Sequence, residues 1–144
     1  MELAAVLQDL ARSVPEAIGA ILCDYEGEAV VLQPGAVRLS DPQAAAAREH
    51  LPRALESSIS LEEFWLRLGG AVPGPALHQL REAHRSVGRG TLVTVELSFA
   101  EAAVLVGCLP EDYYVLLALR RPALRERARV QLSRTSSALA ALLR

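Results

Sequence analysis

Apolar residues recur at helical spacing near both ends of this 144-residue sequence. Between Leu3 and Val14 they share one side of a helix, which Pro15 is expected to end. At the other end, Pro122 is expected to begin a longer helix. The residues expected on the buried side of this closing helix are Leu124, Ala128, Leu132, Thr135, Leu139 and Leu142.

Two short apolar runs follow the opening helix and are separated by a polar turn. The first run is Ala17–Cys23 and the second is Ala29–Leu32. Between them, Gly27 can adopt the positive φ that a short hairpin turn requires. The pattern predicts a β-hairpin, with Gln33-Pro34-Gly35 closing it.

The period changes to two residues in the last third of the chain. Thr91–Phe99 alternates apolar and polar residues, which is typical of a half-exposed antiparallel strand. Ala102–Leu109 is apolar on both faces, as expected of a central strand. Pro110 favours a type I turn at 109–112, and Tyr113–Leu119 is then the next strand.

The middle of the chain, Leu39–Gly90, has the least regular pattern. Asp41 and Pro42 form a good helix start, as N-cap and first helical residue. The segment is expected to contain three short helices, or one long helix that is broken twice. The sequence length favours a single domain spanning 1–144, with an atypical helical insert at about 39–75.

The predicted order of elements is helix, two strands, helices, three strands and helix. This order indicates an α/β (α+β) fold with three layers. Its centre is a five-stranded antiparallel sheet, with the terminal helices on one face and the central helices on the other.

The charge of the chain is small overall but unevenly distributed. The net charge of −2 argues against a general nucleic-acid binder, which normally carries a basic face. From Arg120 onward there are seven Arg and one acid, a balance of +6, whereas the first 119 residues have eight Arg and sixteen acids, a balance of −8. A solvated Arg face on the last helix is favoured, and a phosphate- or lipid-binding patch is the alternative.

The sequence also indicates where the protein is found. The longest uncharged apolar stretch, Ala102–Leu109, is far shorter than the ~20 residues that span a bilayer. The N-terminal residues lack the basic and hydrophobic regions of a signal peptide. A cytoplasmic protein is expected, in which Cys23 and Cys108 are small buried residues and not a disulfide.

Candidate chemistry is scarce. His50, His78 and His84 do not have the spacing of metal ligands. There is no glycine-rich phosphate-binding loop, and the chain contains no Lys that could serve one. We therefore expect no catalytic residue, no metal and no cofactor, and the protein is not expected to be an enzyme.

Several segments resemble the roadblock/dynein-light-chain family, and more closely its bacterial stand-alone (MglB-like) members. They are the hairpin segment Ala20-Ile21-Leu22-Cys23-Asp24-Tyr25-Glu26-Gly27, Gly90 before the alternating strand, the strand segment Tyr113-Tyr114-Val115-Leu116-Leu117, and the amphipathic last helix. The family usually joins strands two and three by one long helix. Here that connection is interrupted at Pro52, at Gly69-Gly70 and at Pro73-Gly74-Pro75, so partner contacts made by the central helix are not carried over.

The resemblance implies a homodimer in which central helices pair and third strands join edge to edge. An edge strand with unpaired backbone groups would favour such pairing, and a monomer with a covered edge is the alternative. The residues expected in the dimer interface are Leu77, Leu80, His84, Thr91, Val93 and Val95.

The only Trp of the chain lies beside Phe64 in the irregular middle segment. Trp65 and Phe64 are candidate partner contacts, because Trp concentrates binding energy when it fills a pocket. The alternative role for Trp65 is to anchor a short helix in the core.

The resemblance implies a non-catalytic, dimeric regulator or scaffold for a bacterial Ras-like small GTPase of the polarity or motility type. The alternative is a protein-only adaptor in a signalling or transport complex, acting through a second roadblock protein; a small-molecule sensor is a more distant hypothesis. Arg120, Arg121, Arg125 and Arg129 could approach a GTPase. No arginine-finger role is assigned to them.

Overall fold

The computed structural model describes residues 2–24, 26, 28–37, 79–83, 88, 93–98, 102–120 and 125–143. The helices and strands with defined bounds are α1 (Leu3–Ser13), β1 (Ala17–Cys23), β2 (Ala29–Pro34), β3 (Thr94–Ser98), β4 (Ala102–Cys108), β5 (Tyr114–Arg120) and α2 (Arg125–Leu143). The opening helix, the hairpin, the three later strands and the closing helix are therefore present where the sequence predicts them.

The five strands form one antiparallel sheet in the order β2-β1-β5-β4-β3. β1 and β5 lie next to each other in the middle, although about ninety residues separate them in sequence, as Ile21 pairs with Leu116. The three inner strands are almost entirely buried, which explains their continuous apolar runs. The predicted fold class is confirmed.

The main core lies between the sheet and the two helices. α1 packs on β1 and β2, α2 packs on β4 and β5, and the two helices pack on each other. The terminal helices thus share one face, which is called the helix face below. Its fully buried side chains include Leu7, Leu10, Leu105, Leu117 and Leu139.

The opposite face of the sheet, called the second face below, has its own core. Its buried residues are Ile21, Cys23, Val104, Val106, Tyr114 and Leu116. Val95 and Leu97 of β3 pack against it. Residues 79–83 are helical, and Arg81 of this segment lies over the ring of Tyr114, so a central helical segment is on the second face. The insert predicted at about 39–75 lies outside the described residues.

Two details of the predicted elements are wrong. β2 continues through Pro34, because the chain stays paired with β1 up to the Gly35 N–H, which donates to the Ile18 carbonyl at 2.8 Å. In α2, Leu142 is 40% exposed. Leu143, four residues after Leu139, packs against the main core instead of Leu142.

The turn between β4 and β5 is also different from the predicted type I turn. Glu111 and Asp112 both have positive φ, 59° and 61°, and the Tyr113 N–H donates to the Pro110 carbonyl at 3.3 Å. Positive φ at both central residues is the geometry of a type I′ turn, which matches the twist of a hairpin. Pro110 therefore precedes the central pair and does not belong to it.

This turn predicts a stabilising substitution. Glu111 is exposed and adopts a left-handed conformation that costs roughly 1–2 kcal/mol for most residues. Glu111→Asn should raise the free energy of unfolding by about 0.5–1 kcal/mol, since Asn tolerates this conformation. Thermal denaturation would measure the change. Glu111→Val should lower the stability, and a stabilised valine variant would contradict the turn assignment.

Candidate protein-interaction surface

One edge of the sheet is formed by β3, and the other by β2. Among the described residues β3 pairs only with β4, in a regular register from Thr94 opposite Gly107 to Ser98 opposite Ala103. An edge strand presents outward N–H and C=O groups that can pair with another strand. The strand predicted to be an edge is thus placed at one.

The dimer residues expected from the sequence differ in their surroundings. Val93, just before β3, is 67% exposed, and Leu80 on segment 79–83 is 40% exposed. Val95 is half-buried and packs against the second-face core. Val93 and Val95 point to the same side of the strand, and segment 79–83 covers that side at Tyr114. The other candidates, Leu77, His84, Thr91, Phe64 and Trp65, lie outside the described residues.

The helix face of β3 carries contacts that the sequence did not predict. Arg129 of α2 donates from Nε and Nη2 to the two carboxylate oxygens of Glu96, the second at 3.0 Å, and its Nη1 pairs with Glu126. Arg125, one turn earlier, donates to the Ser98 hydroxyl at 2.6 Å. These two arginines were expected on a solvated face. They are partly exposed, yet they hold α2 to the edge strand.

The ionisation of Glu96 reflects this arrangement. The hydrogen bond from Arg129 holds the pKa of the Glu96 carboxyl below its usual value, and the charges of Arg129 and Arg125 act in the same direction. The same contact raises the pKa of Arg129. Both groups are therefore charged at neutral pH.

The lowered pKa of Glu96 predicts a pH-dependent contribution to stability. A carboxyl whose folded pKa lies below its unfolded value, about 4.3, stabilises the fold above that value and stops doing so as pH falls through the folded pKa. Glu96→Gln should therefore melt at a lower temperature than the parent at pH 7, and the difference should shrink as pH falls below about 4.3. Equal melting temperatures at pH 7 would contradict the pairing with Arg129.

Arg81 makes a second set of contacts that the sequence analysis missed. It is only 6% exposed, and its Nη2 donates to the Leu109 carbonyl at 3.0 Å. Its guanidinium carbon lies 5.4 Å from the centre of the Tyr114 ring, and its Nη1 is 3.6 Å from Asp112 Oδ1. A buried arginine with these three contacts ties segment 79–83 to the β4–β5 turn.

No protein-family model matches the sequence, and no curated protein matches it. Solved structures do match, over nearly the full length of both chains. A Roadblock/LC7 domain from Streptomyces avermitilis has a TM-score of 0.69 at 12% sequence identity, covering 99% of this chain and 98% of that chain. The chain has the roadblock fold.

Solved structures of MglB and MglC are similar over comparable lengths. The gliding protein MglB from Thermus thermophilus has a TM-score of 0.69 at 14% identity, covering 96% of this chain and 86% of that one. A separate MglB structure with a tetrameric arrangement gives the same TM-score and identity. MglC from Myxococcus xanthus has a TM-score of 0.60 at 18% identity and covers 98% of both chains. The predicted resemblance is confirmed at the level of the fold.

The cysteines occupy inner strands of this roadblock sheet. Cys23 and Cys108 pair with Tyr114 from opposite sides, so their Cα atoms are two strand spacings, roughly 10 Å, apart. A disulfide needs less than about 7 Å, so they cannot form one within the chain. Burial, with the charge of Asp24, raises the pKa of Cys23 to about 12, and burial also raises the pKa of Cys108 against the opposing charge of Arg81.

In the ranges given above, no group of three or more His, Cys, Asp or Glu side chains could hold a metal ion. Within the same ranges, no helix is both long and apolar enough to cross a membrane.

Proposed function

We propose that this chain is a dimeric, non-catalytic regulator or scaffold for a bacterial Ras-like small GTPase, of the type that controls polarity or motility. It acts as an MglB-like protein in the cytoplasm. A single roadblock-like domain spans residues 1–144 and includes the helical insert at about 39–75. Partner binding biases the GTPase between its nucleotide states through differential affinity.

The position of β3 supports this proposal most directly. The roadblock sheet ends in a five-residue edge strand with exposed Val93 beside it. Exposed strand edges are used for association by strand addition. The similarity to MglB, one structure of which has a tetrameric arrangement, and to MglC supports assembly between roadblock chains.

A charged residue at the β3 edge should weaken the dimer. Val93→Lys should raise the dimer dissociation constant about tenfold, because the ammonium group must lose water when a second strand pairs there. Sedimentation equilibrium would measure it. Val30→Lys is the matched control, since Val30 is 51% exposed on β2 at the opposite edge. Equal weakening by both variants would contradict the use of β3.

The GTPase partner is tested with purified proteins. Ras-like GTPases from the same genome are loaded with GDP or a non-hydrolysable GTP analogue and passed over the immobilised chain, and GTP hydrolysis is measured with and without it. Binding that differs between the nucleotide states supports the proposal. Binding in neither state would refute it.

Affinity purification from the native host that recovers a second roadblock protein without any GTPase would favour the adaptor function.

A further inference from the structure

Glu96 lies at the middle of β3, with two strand residues on either side. Its side chain is on the helix face, since it is opposite Leu105, a residue of the main core. Around a two-fold axis, an antiparallel pair of β3 strands with full overlap places this central residue opposite its own copy. Directly opposed side chains are about 5 Å apart, and like charges there are destabilising.

The surroundings of Glu96 counter such a repulsion. Both of its carboxylate oxygens accept hydrogen bonds from Arg129, which comes from α2 of the same chain. The pair stays accessible to a partner, because the Glu96 side chain is 35% exposed and that of Arg129 is 42% exposed. Arg129 thus neutralises the one acid that β3 carries and draws it toward α2.

We propose that Arg129 is a positioning residue for self-association at the β3 edge, where it allows two Glu96 carboxylates to meet across a two-fold axis. This inference rests on the proposed dimer. Arg125 assists by holding Ser98, the last residue of β3, to the same helix. The occupant of the edge is a second copy of this chain, an assembly that the tetrameric arrangement of a similar MglB structure supports. A two-fold axis then presents the acid–arginine pair once from each copy.

The test compares dimer dissociation constants by sedimentation equilibrium. Arg129→Gln should raise the dissociation constant roughly fivefold, because the two carboxylates are no longer neutralised. The matched control is Arg127→Gln, which removes the same charge from an exposed position two residues earlier in α2. Its dissociation constant should stay within about twofold of the parent. Equal effects of the two variants would overturn the proposal.

A rescue experiment separates charge repulsion from loss of structure. Glu96→Gln combined with Arg129→Gln should restore the dissociation constant to within about twofold of the parent, since no opposed charges are left. Raising the salt concentration from about 50 to about 500 mM should strengthen the Arg129→Gln dimer by screening. A double variant as weak as Arg129→Gln alone would overturn the inference. A parent chain that is monomeric at every concentration would instead refute the dimer itself.

Discussion

Replacing Gly35 by alanine should lower the free energy of unfolding by about 3 kcal/mol, a large effect for a single methyl group. A Cβ atom at this position would lie 2.7 Å from the carbonyl carbon of Ala17 and closer still to its oxygen. The neighbour is backbone at the start of β1, so it cannot rotate away. The bonds from Gly35 N–H to Ile18 and from Val37 N–H to Ala17 would be displaced. Urea denaturation would measure the change.

Gly107→Ala provides the comparison for Gly35→Ala. A Cβ at Gly107 in β4 would meet the Ser136 hydroxyl of α2 and lie 3.0 Å from Val115 Cγ1. A hydroxyl can rotate to another staggered position, so the expected loss is only about 1 kcal/mol. If Gly35→Ala were no more destabilising than Gly107→Ala, the close approach of the chain at Ala17 would be contradicted.

The sequence predicted the elements of this fold because their patterns are local. Period-two alternation identified β3, continuous apolar runs identified the inner strands, and helical spacing identified α1 and most of the buried side of α2. The turn after β4 could not be predicted in this way. Pro110 is compatible with a type I turn, whereas the positive φ of Glu111 follows from the hairpin twist that β4 and β5 impose.

The candidate surface was predictable only in part. An alternating strand with exposed polar residues is expected at an edge, and β3 is there. The pairing of Glu96 with Arg129 joins residues thirty-three positions apart, and nothing in the local pattern of either residue indicates the other. The same holds for Arg81. An arginine within a short helical pattern is normally solvent-exposed, and its burial depends on the distant Leu109 carbonyl and Tyr114 ring.

The contacts of Arg81 predict the second large effect. Arg81→Ala should lower the free energy of unfolding by about 2–3 kcal/mol, because the buried Leu109 carbonyl loses its donor and the Tyr114 ring loses its cation. Hydrogen exchange should show faster opening of residues 79–83 and of the turn at Pro110–Asp112, because Arg81 joins these two segments. The α1 amides on the helix face should still exchange only through global unfolding. Their protection should therefore fall by no more than the loss in overall stability.

Variants at Arg81 and at a neighbouring residue distinguish its contributions. Arg81→Met keeps much of the apolar stem but donates no hydrogen bond, so its stability should lie between those of the parent and Arg81→Ala. Arg81→Lys keeps the charge but loses the planar group that lies over the Tyr114 ring, and it should also fall between them. Gln79→Ala, an exposed change on the same segment, should alter stability by less than about 0.5 kcal/mol. If Arg81→Ala were as mild as Gln79→Ala, Arg81 would not be what attaches segment 79–83 to the sheet.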